Sequence, residues 1–141
     1  MGWIRFLKSN EKALIDWAIL VIRIGIGIMF ILHGYPKLLG GIERWTSLGM
    51  NGPGSIGIHF WYPFWGLLAA LSEAIGGLFL VIGFQVRLSA LMMLFTMIFA
   101  IVFHVVSGKG SPYHAIESAF IFIGIILSGS GKYTLQWIVK R

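Results

Sequence analysis

From Tyr62 to Val106 the chain reads YPFWGLLAALSEAIGGLFLVIGFQVRLSALMMLFTMIFAIVFHVV. Two apolar runs, Tyr62–Phe84 and Leu88–Val106, are separated only by Gln85-Val86-Arg87. A helix that crosses a bilayer takes about 20 residues, and each run supplies one. So short a connection sends the second helix straight back along the first, which predicts a tight antiparallel pair. Outward from this hairpin the pattern repeats. A span over about residues 16–39 precedes it and a shorter one over about 112–127 follows, joined to the hairpin by the turn-rich Ser107-Gly108-Lys109-Gly110-Ser111. The expected fold is all-α: a polytopic membrane protein with spans over about 16–39, 62–84, 88–106 and 112–127, forming one up-down four-helix domain over residues 1–141.

Composition agrees. Of 141 residues, 57% are hydrophobic and only 11% charged, against roughly 25% charged in a typical soluble domain. The net charge of +6 does not point to nucleic acid, because the 11 Lys and Arg are scattered between apolar runs and form no basic stripe. The absence of cysteine excludes disulfides, thiol relays, thiolate zinc and iron–sulfur clusters. Basic Arg5, Lys8 and Lys12 before an apolar run resemble a secretory signal, yet Trp17–Leu32 contains Arg23 and lacks a small-residue cleavage site, so it reads as a retained first span. Arg5, Lys8, Lys12, Arg87, Lys132, Lys140 and Arg141 fall on one side of the bundle, and Lys37, Arg44 and Lys109 on the other. The positive-inside rule then places both termini in the cytoplasm.

Residues 40–61 form the one long connection, rich in glycine and leading into the second span through the aromatic run His59-Phe60-Trp61-Tyr62. It reads as an outer interfacial loop whose Trp45, Trp61, Tyr62 and Trp65 sit at headgroup level, or as a lid over an outer site.

Ionisable side chains within the spans are the informative ones, because a charge at the bilayer centre costs roughly 2.5–3.5 kcal/mol or more unless it faces the bundle interior. Counting about 1.5 Å per residue along each helix, Arg23 and Glu73 are predicted to pair near mid-membrane. By the same count His33, His104 and Glu117 converge just below the outer boundary, with Lys37 above them. A mutual His104–Glu117 hydrogen bond and a His33–Lys37 helix-end cap are the structural alternatives to chemistry at this site. Arg87 is expected to snorkel to the inner headgroups, and His59 and His114 to be solvated. The stripe Arg23, Gly27, Gly34, Lys37 on the first helix and the stripe Glu73, Gly76, Gly77, Gly83 on the second read as close packing faces.

The run Arg23-Ile-Gly25-Ile-Gly27-Ile-Met-Phe30, followed by His33-Gly34-Tyr-Pro-Lys37-Leu38, resembles the start of the DoxX family of small membrane proteins. The stretch Glu73-Ala-Ile-Gly76-Gly77 through Arg87-Leu-Ser-Ala90, then His104, Glu117 and the closing Ser-Gly129-Ser-Gly131-Lys-Tyr133-Thr134-Leu135, continue the likeness in order. One departure is Gln136, where the family ending usually carries an acid. The resemblance implies a four-helix bundle in the plasma (inner) membrane, linked to quinones through quinol oxidase or thiosulfate:quinone oxidoreductase. On that reading His33 and Lys37 attract a quinone carbonyl or a small anion such as thiosulfate. His104 and Glu117 relay protons, and Glu73 and Arg23 help hold the cofactor. Electrons then come from partner membrane or redox subunits. The alternative is a noncatalytic accessory or assembly subunit of a larger complex. A bis-histidine haem between His33 and His104 is disfavoured by the charged surroundings, and no metal-ligand spacing is present.

Overall fold

The structure, a computed structural model, describes residues 10–135. These residues form five α-helices, one short 3₁₀ turn and no strand: α1 (Glu11–Leu39), α2 (Gly41–Asn51), the turn Pro53–Ile56, α3 (Tyr62–Ile82), α4 (Val86–Ser107) and α5 (Tyr113–Ser128). The helices α1, α3 and α4 are long and apolar enough to cross a membrane, and α5 is a shorter apolar helix of 16 residues. Their outer faces suit lipid: on α5 alone, Phe120 and Leu127 are 69% and 76% exposed. The chain is a multi-pass membrane protein. Arg5, Lys8, Lys140, Arg141 and Gln136 lie outside the described residues.

Two expectations are corrected. Val86 and Arg87 already belong to α4, and the hairpin turns at Gly83-Phe84-Gln85, where Gly83 (φ 72°) and Gln85 (φ 43°) are left-handed. More importantly, residues 40–61 are not an open loop. The left-handed Gly41 (φ 66°) breaks the chain after α1, and α2 then lies across the end of α3. The glycines that suggested a loop serve contact instead. A Cβ on Gly49 would strike the Tyr62 carbonyl, and one on Gly66 the Trp45 carbonyl, so the two helices meet backbone to backbone. Trp45 Nε1 donates to Lys37 O at 3.1 Å and ties α2 to the otherwise open carbonyl end of α1.

The bundle is organised by α1 running antiparallel to α3. A Cβ built on Gly27 would lie 2.7 Å from Gly77 O, and one on Gly77 would lie 2.7 Å from Gly27 O. Gly34 lies equally close to the backbone of Glu73 and Ala74. Small residues permit this approach, and in lipid such contact replaces the hydrophobic drive between helices. On the far side, Phe30 and Phe122 meet edge to face at 5.0 Å, which joins α1 to α5 through a core that includes Leu80, Met93 and Met97.

Arg23 does not pair with Glu73. It is buried (1% exposed), and its Nε donates to Leu80 O at 3.1 Å, its Nη1 to Ser130 O and its Nη2 to Tyr133 O at 2.8 Å. Leu80 is seven residues beyond Glu73, about 10 Å along α3. In a medium without water the backbone carbonyls at a helix end and in an adjoining turn need donors, and one guanidinium fork supplies three. The Gly129–Leu135 segment is thereby latched to α1, with help from the Lys132 N–H bond to Asp16 Oδ1 at 3.0 Å and from the Trp17–Tyr133 ring contact at 4.6 Å. Gly83 completes the latch, since a Cβ there would come within 2.8 Å of Thr134 Cα and 3.0 Å of Arg23 Nη2.

The glycines therefore separate into two kinds, and substitution distinguishes them. Gly77→Ala is expected to lower the thermal midpoint in detergent, at an overpacking cost of roughly 1–3 kcal/mol. Gly124→Ala, where a Cβ meets nothing within 4 Å, is expected to be neutral or to stabilise by up to about 1 kcal/mol.

Candidate functional site

Three helices carry apolar and weakly polar stripes at helical spacing that face one another. On α2 the stripe is Arg44, Ser47, Leu48 and Asn51; on α3 it is Trp65, Leu68, Ala69 and Ser72. On α4 it is Met92, Phe95, Thr96, Phe99 and Phe103, with His104 beside it. Between them lies a cavity of about 530 Å³, within the range typical of small-molecule sites.

The cavity ends on an ion pair. Lys37 Nζ donates to both carboxylate oxygens of Glu73, at 2.7 and 2.6 Å. Glu73 is 2% exposed and the Lys37 side chain 25%, so the carboxylate is withdrawn from solvent while its cation reaches the cavity wall. The pair follows from the backbone below it. Gly34 lets α1 rest on α3 at Glu73, and Lys37 stands three residues further along the same helix. Replacing a lipid-embedded charge by a bidentate pair removes most of its penalty, and Glu73 has no need of Arg23.

His104 joins this site. Its Nδ1 lies 2.5 Å from Lys109 O, and a carbonyl only accepts, so the Nδ1 proton is donated there and Nε2 is left as the basic nitrogen of the neutral ring. The expected His104–Glu117 hydrogen bond is absent among the described residues. Glu117 is exposed on α5, without a hydrogen bond or ion pair among them. His33 likewise turns away from Lys37. Its Nδ1 is 2.7 Å from Met29 O, and its ring stacks on His114 with centroids 5.5 Å apart. The polar residues assigned to one depth thus divide between two faces. Lys37, Glu73 and His104 meet at the cavity. His33 and Glu117 stand outside its walls, His33 on the α1–α5 side with His114, and Arg23 holds the latch. His104 lines the cavity and His33 does not, and among the described residues no group of three His, Asp or Glu is arranged to hold a metal.

The aromatic stripe Phe95, Phe99, Phe103 and the whole contribution of α2 were not singled out from sequence. The signal was present in the i, i+4, i+8 spacing of the phenylalanines, but such a stripe in an apolar helix equally describes a lipid-facing surface.

The DoxX family pattern matches residues 18–106. The chain belongs to the DoxX family. The match takes in most of α1, all of α2 and α3 and nearly all of α4, hence every element of the cavity. An uncharacterized protein of Haemophilus influenzae is similar to this DoxX chain, 29% identical over 123 residues that cover 82% of this chain and 85% of the relative. No solved structure matches it significantly.

The Lys37–Glu73 pair can be tested directly. Lys37→Met leaves an unpaired buried carboxylate and is expected to destabilise by about 3–5 kcal/mol, whereas Lys37→Met with Glu73→Gln recovers much of the loss. Thermal unfolding of the four proteins of the double-mutant cycle reads the coupling.

Proposed function

We propose that this DoxX protein is a quinone-linked subunit of a membrane redox system and holds a quinone ring in the cavity between α2, α3 and α4. One observation carries the reading: an aromatic-walled cavity inside a membrane bundle that ends on the buried Lys37–Glu73 pair. A quinone divides its character in the same way, with an apolar body and oxygens at its rim. Access from the bilayer is supported by Met92 and Phe95, which line the cavity and are 38% and 56% exposed on the membrane-spanning helix α4. With the charge bias that favours cytoplasmic termini, the cavity opens in the outer half of the plasma membrane.

When bound, a quinone supplies a carrier for two electrons and two protons. The residues of the chain position it and handle the protons. Phe95, Phe99 and Trp65 exclude water from the ring, and Lys37 presents a donor whose charge Glu73 offsets. His104, held through Nδ1 by Lys109, keeps Nε2 free of that bond as the nitrogen that faces proton exchange with the ring. A partner subunit exchanges the electrons, in keeping with a chain that has no cysteine to carry them.

An accessory role, with no chemistry of its own, is favoured by a separate observation. Glu117 sits exposed on a membrane helix and is unpaired among the described residues, and a neighbouring subunit would shield it.

Purification from the native membrane in mild detergent, with identification of bound lipids and co-purifying chains, tests both readings. Quinone is expected to co-purify with the wild-type chain. Filling the cavity with Ala69→Phe is expected to lower its recovery about tenfold, the equivalent of roughly 1.4 kcal/mol. A protein that carries no quinone and takes up none overturns the redox reading, and recovery of that protein within a larger complex leaves the accessory one.

A further inference from the structure

The polar end of the cavity has more hydrogen-bond donors than the chain itself uses. A lysine ammonium carries three N–H groups, and Lys37 spends two of them on Glu73. Beside Glu73 in the chain, Ser72 lines the cavity and is 3% exposed, and its Oγ has no hydrogen-bond partner among the described residues. This is not the ordinary state of a hydroxyl on a helix, which usually bonds back to the carbonyl four residues earlier. Thr96, on the opposite wall of the same cavity, does so: its Oγ1 donates to Met92 O at 3.2 Å. A hydroxyl shut away from water without a partner is unfavourable, and its place on a residue of the cavity wall points to a group that arrives from outside the chain.

Charge narrows what that group is. Lys37 and Glu73 cancel one another, so the buried end is neutral overall and offers donors without a net field. Arg44, the other cation on the walls, is exposed on α2, and His104 has committed its Nδ1 proton to Lys109 O. A neutral acceptor fits this end, and a free anion does not, because binding it would leave its charge uncompensated in an apolar enclosure. The remaining walls, Trp65, Phe95, Phe99 and Phe103, suit a flat ring.

We infer that Ser72 Oγ and the third N–H of Lys37 form an anchoring subsite for one carbonyl oxygen of a neutral, ring-bearing ligand drawn from the bilayer. The inference rests on the quinone reading of the cavity and adds to it which residues grip the ring and by which atom. It also excludes a thiosulfate-type anion as the occupant of this end. Ser72 is here a specificity determinant: it distinguishes a ring that carries a carbonyl from one that does not.

Equilibrium dialysis of the purified full chain in detergent, with menadione and its parent hydrocarbon methylnaphthalene as probes, tests the assignment. Wild type is expected to bind menadione the more tightly. Ser72→Ala is expected to weaken menadione binding about five- to tenfold, the worth of one hydrogen bond, and to leave methylnaphthalene binding unchanged. Ser72→Thr, which keeps the hydroxyl, is expected to retain most of the menadione affinity. The thermal midpoint of ligand-free Ser72→Ala is expected to stay level or rise, since the variant loses only an unsatisfied buried oxygen. Equal menadione affinity in wild type and Ser72→Ala overturns the subsite and leaves the quinone reading standing. An equal loss for both probes also overturns it, because that outcome marks a collapsed cavity. Displacement of menadione by sodium thiosulfate removes the neutral-ligand assignment. Failure of wild type to bind menadione at all removes the quinone reading and this subsite with it.

Discussion

Backbone contact between α1 and α3 at Gly27, Gly34 and Gly77 is the constraint on which the rest of the molecule depends. Lipid tails are as apolar as leucine, so burial alone does not press two membrane helices together, and their association relies on van der Waals fit and polar contacts. The glycines let the axes approach until carbonyl and Cα surfaces touch. That distance sets the reach of two cations on one face of α1. Toward the start of the helix, Arg23 gathers the carbonyls of Leu80, Ser130 and Tyr133; fourteen residues on, Lys37 closes on Glu73. Were the helices pushed apart by a side chain, both contacts would lengthen together. The latch and the ion pair are two ends of one interface.

The same geometry divides structural from chemical work. Most of the residues that carry the DoxX resemblance serve architecture: the glycines permit contact, Arg23 ties the Gly129–Tyr133 segment to α1, and Gly83 makes room for both. The cavity takes only Lys37, Glu73 and His104 from that set. Its remaining walls, from Ser47 and Asn51 on α2 to Phe95, Phe99 and Phe103 on α4, are outside the recognised motifs.

The α1–α5 side has a different character. His33 and His114 stack there, and on α5 Glu117 stands exposed one turn beyond His114. Depth alone grouped His33 and Glu117 with His104, yet rotation about the helix axis separates them. The cavity side is lined by aromatic rings, whereas these groups are exposed on the outer faces of α1 and α5.

Much of the fold was legible in the sequence, because it follows from quantities local to each segment. Apolar run length set four helices, the short Gln85-Val86-Arg87 connection set the hairpin, and the scarcity of ionisable residues inside the runs identified Arg23 and Glu73 as buried partners of something, while Lys37 read as lying above them at the outer surface. Which partner each takes was decided only by the tertiary structure. Counting residues from a helix start fixes one coordinate, depth, with an error of several ångströms; pairing also requires axial register and rotation, which arise when two glycine faces settle against each other. That is why Arg23 falls level with Leu80, and Glu73 goes to Lys37. The helix α2 escaped for a related reason: Gly49 reads as a breaker in isolation and as a contact surface once Tyr62 lies against it. The cavity belongs wholly to this second kind of information, since its walls come from three helices whose stripes mean nothing until they face one another.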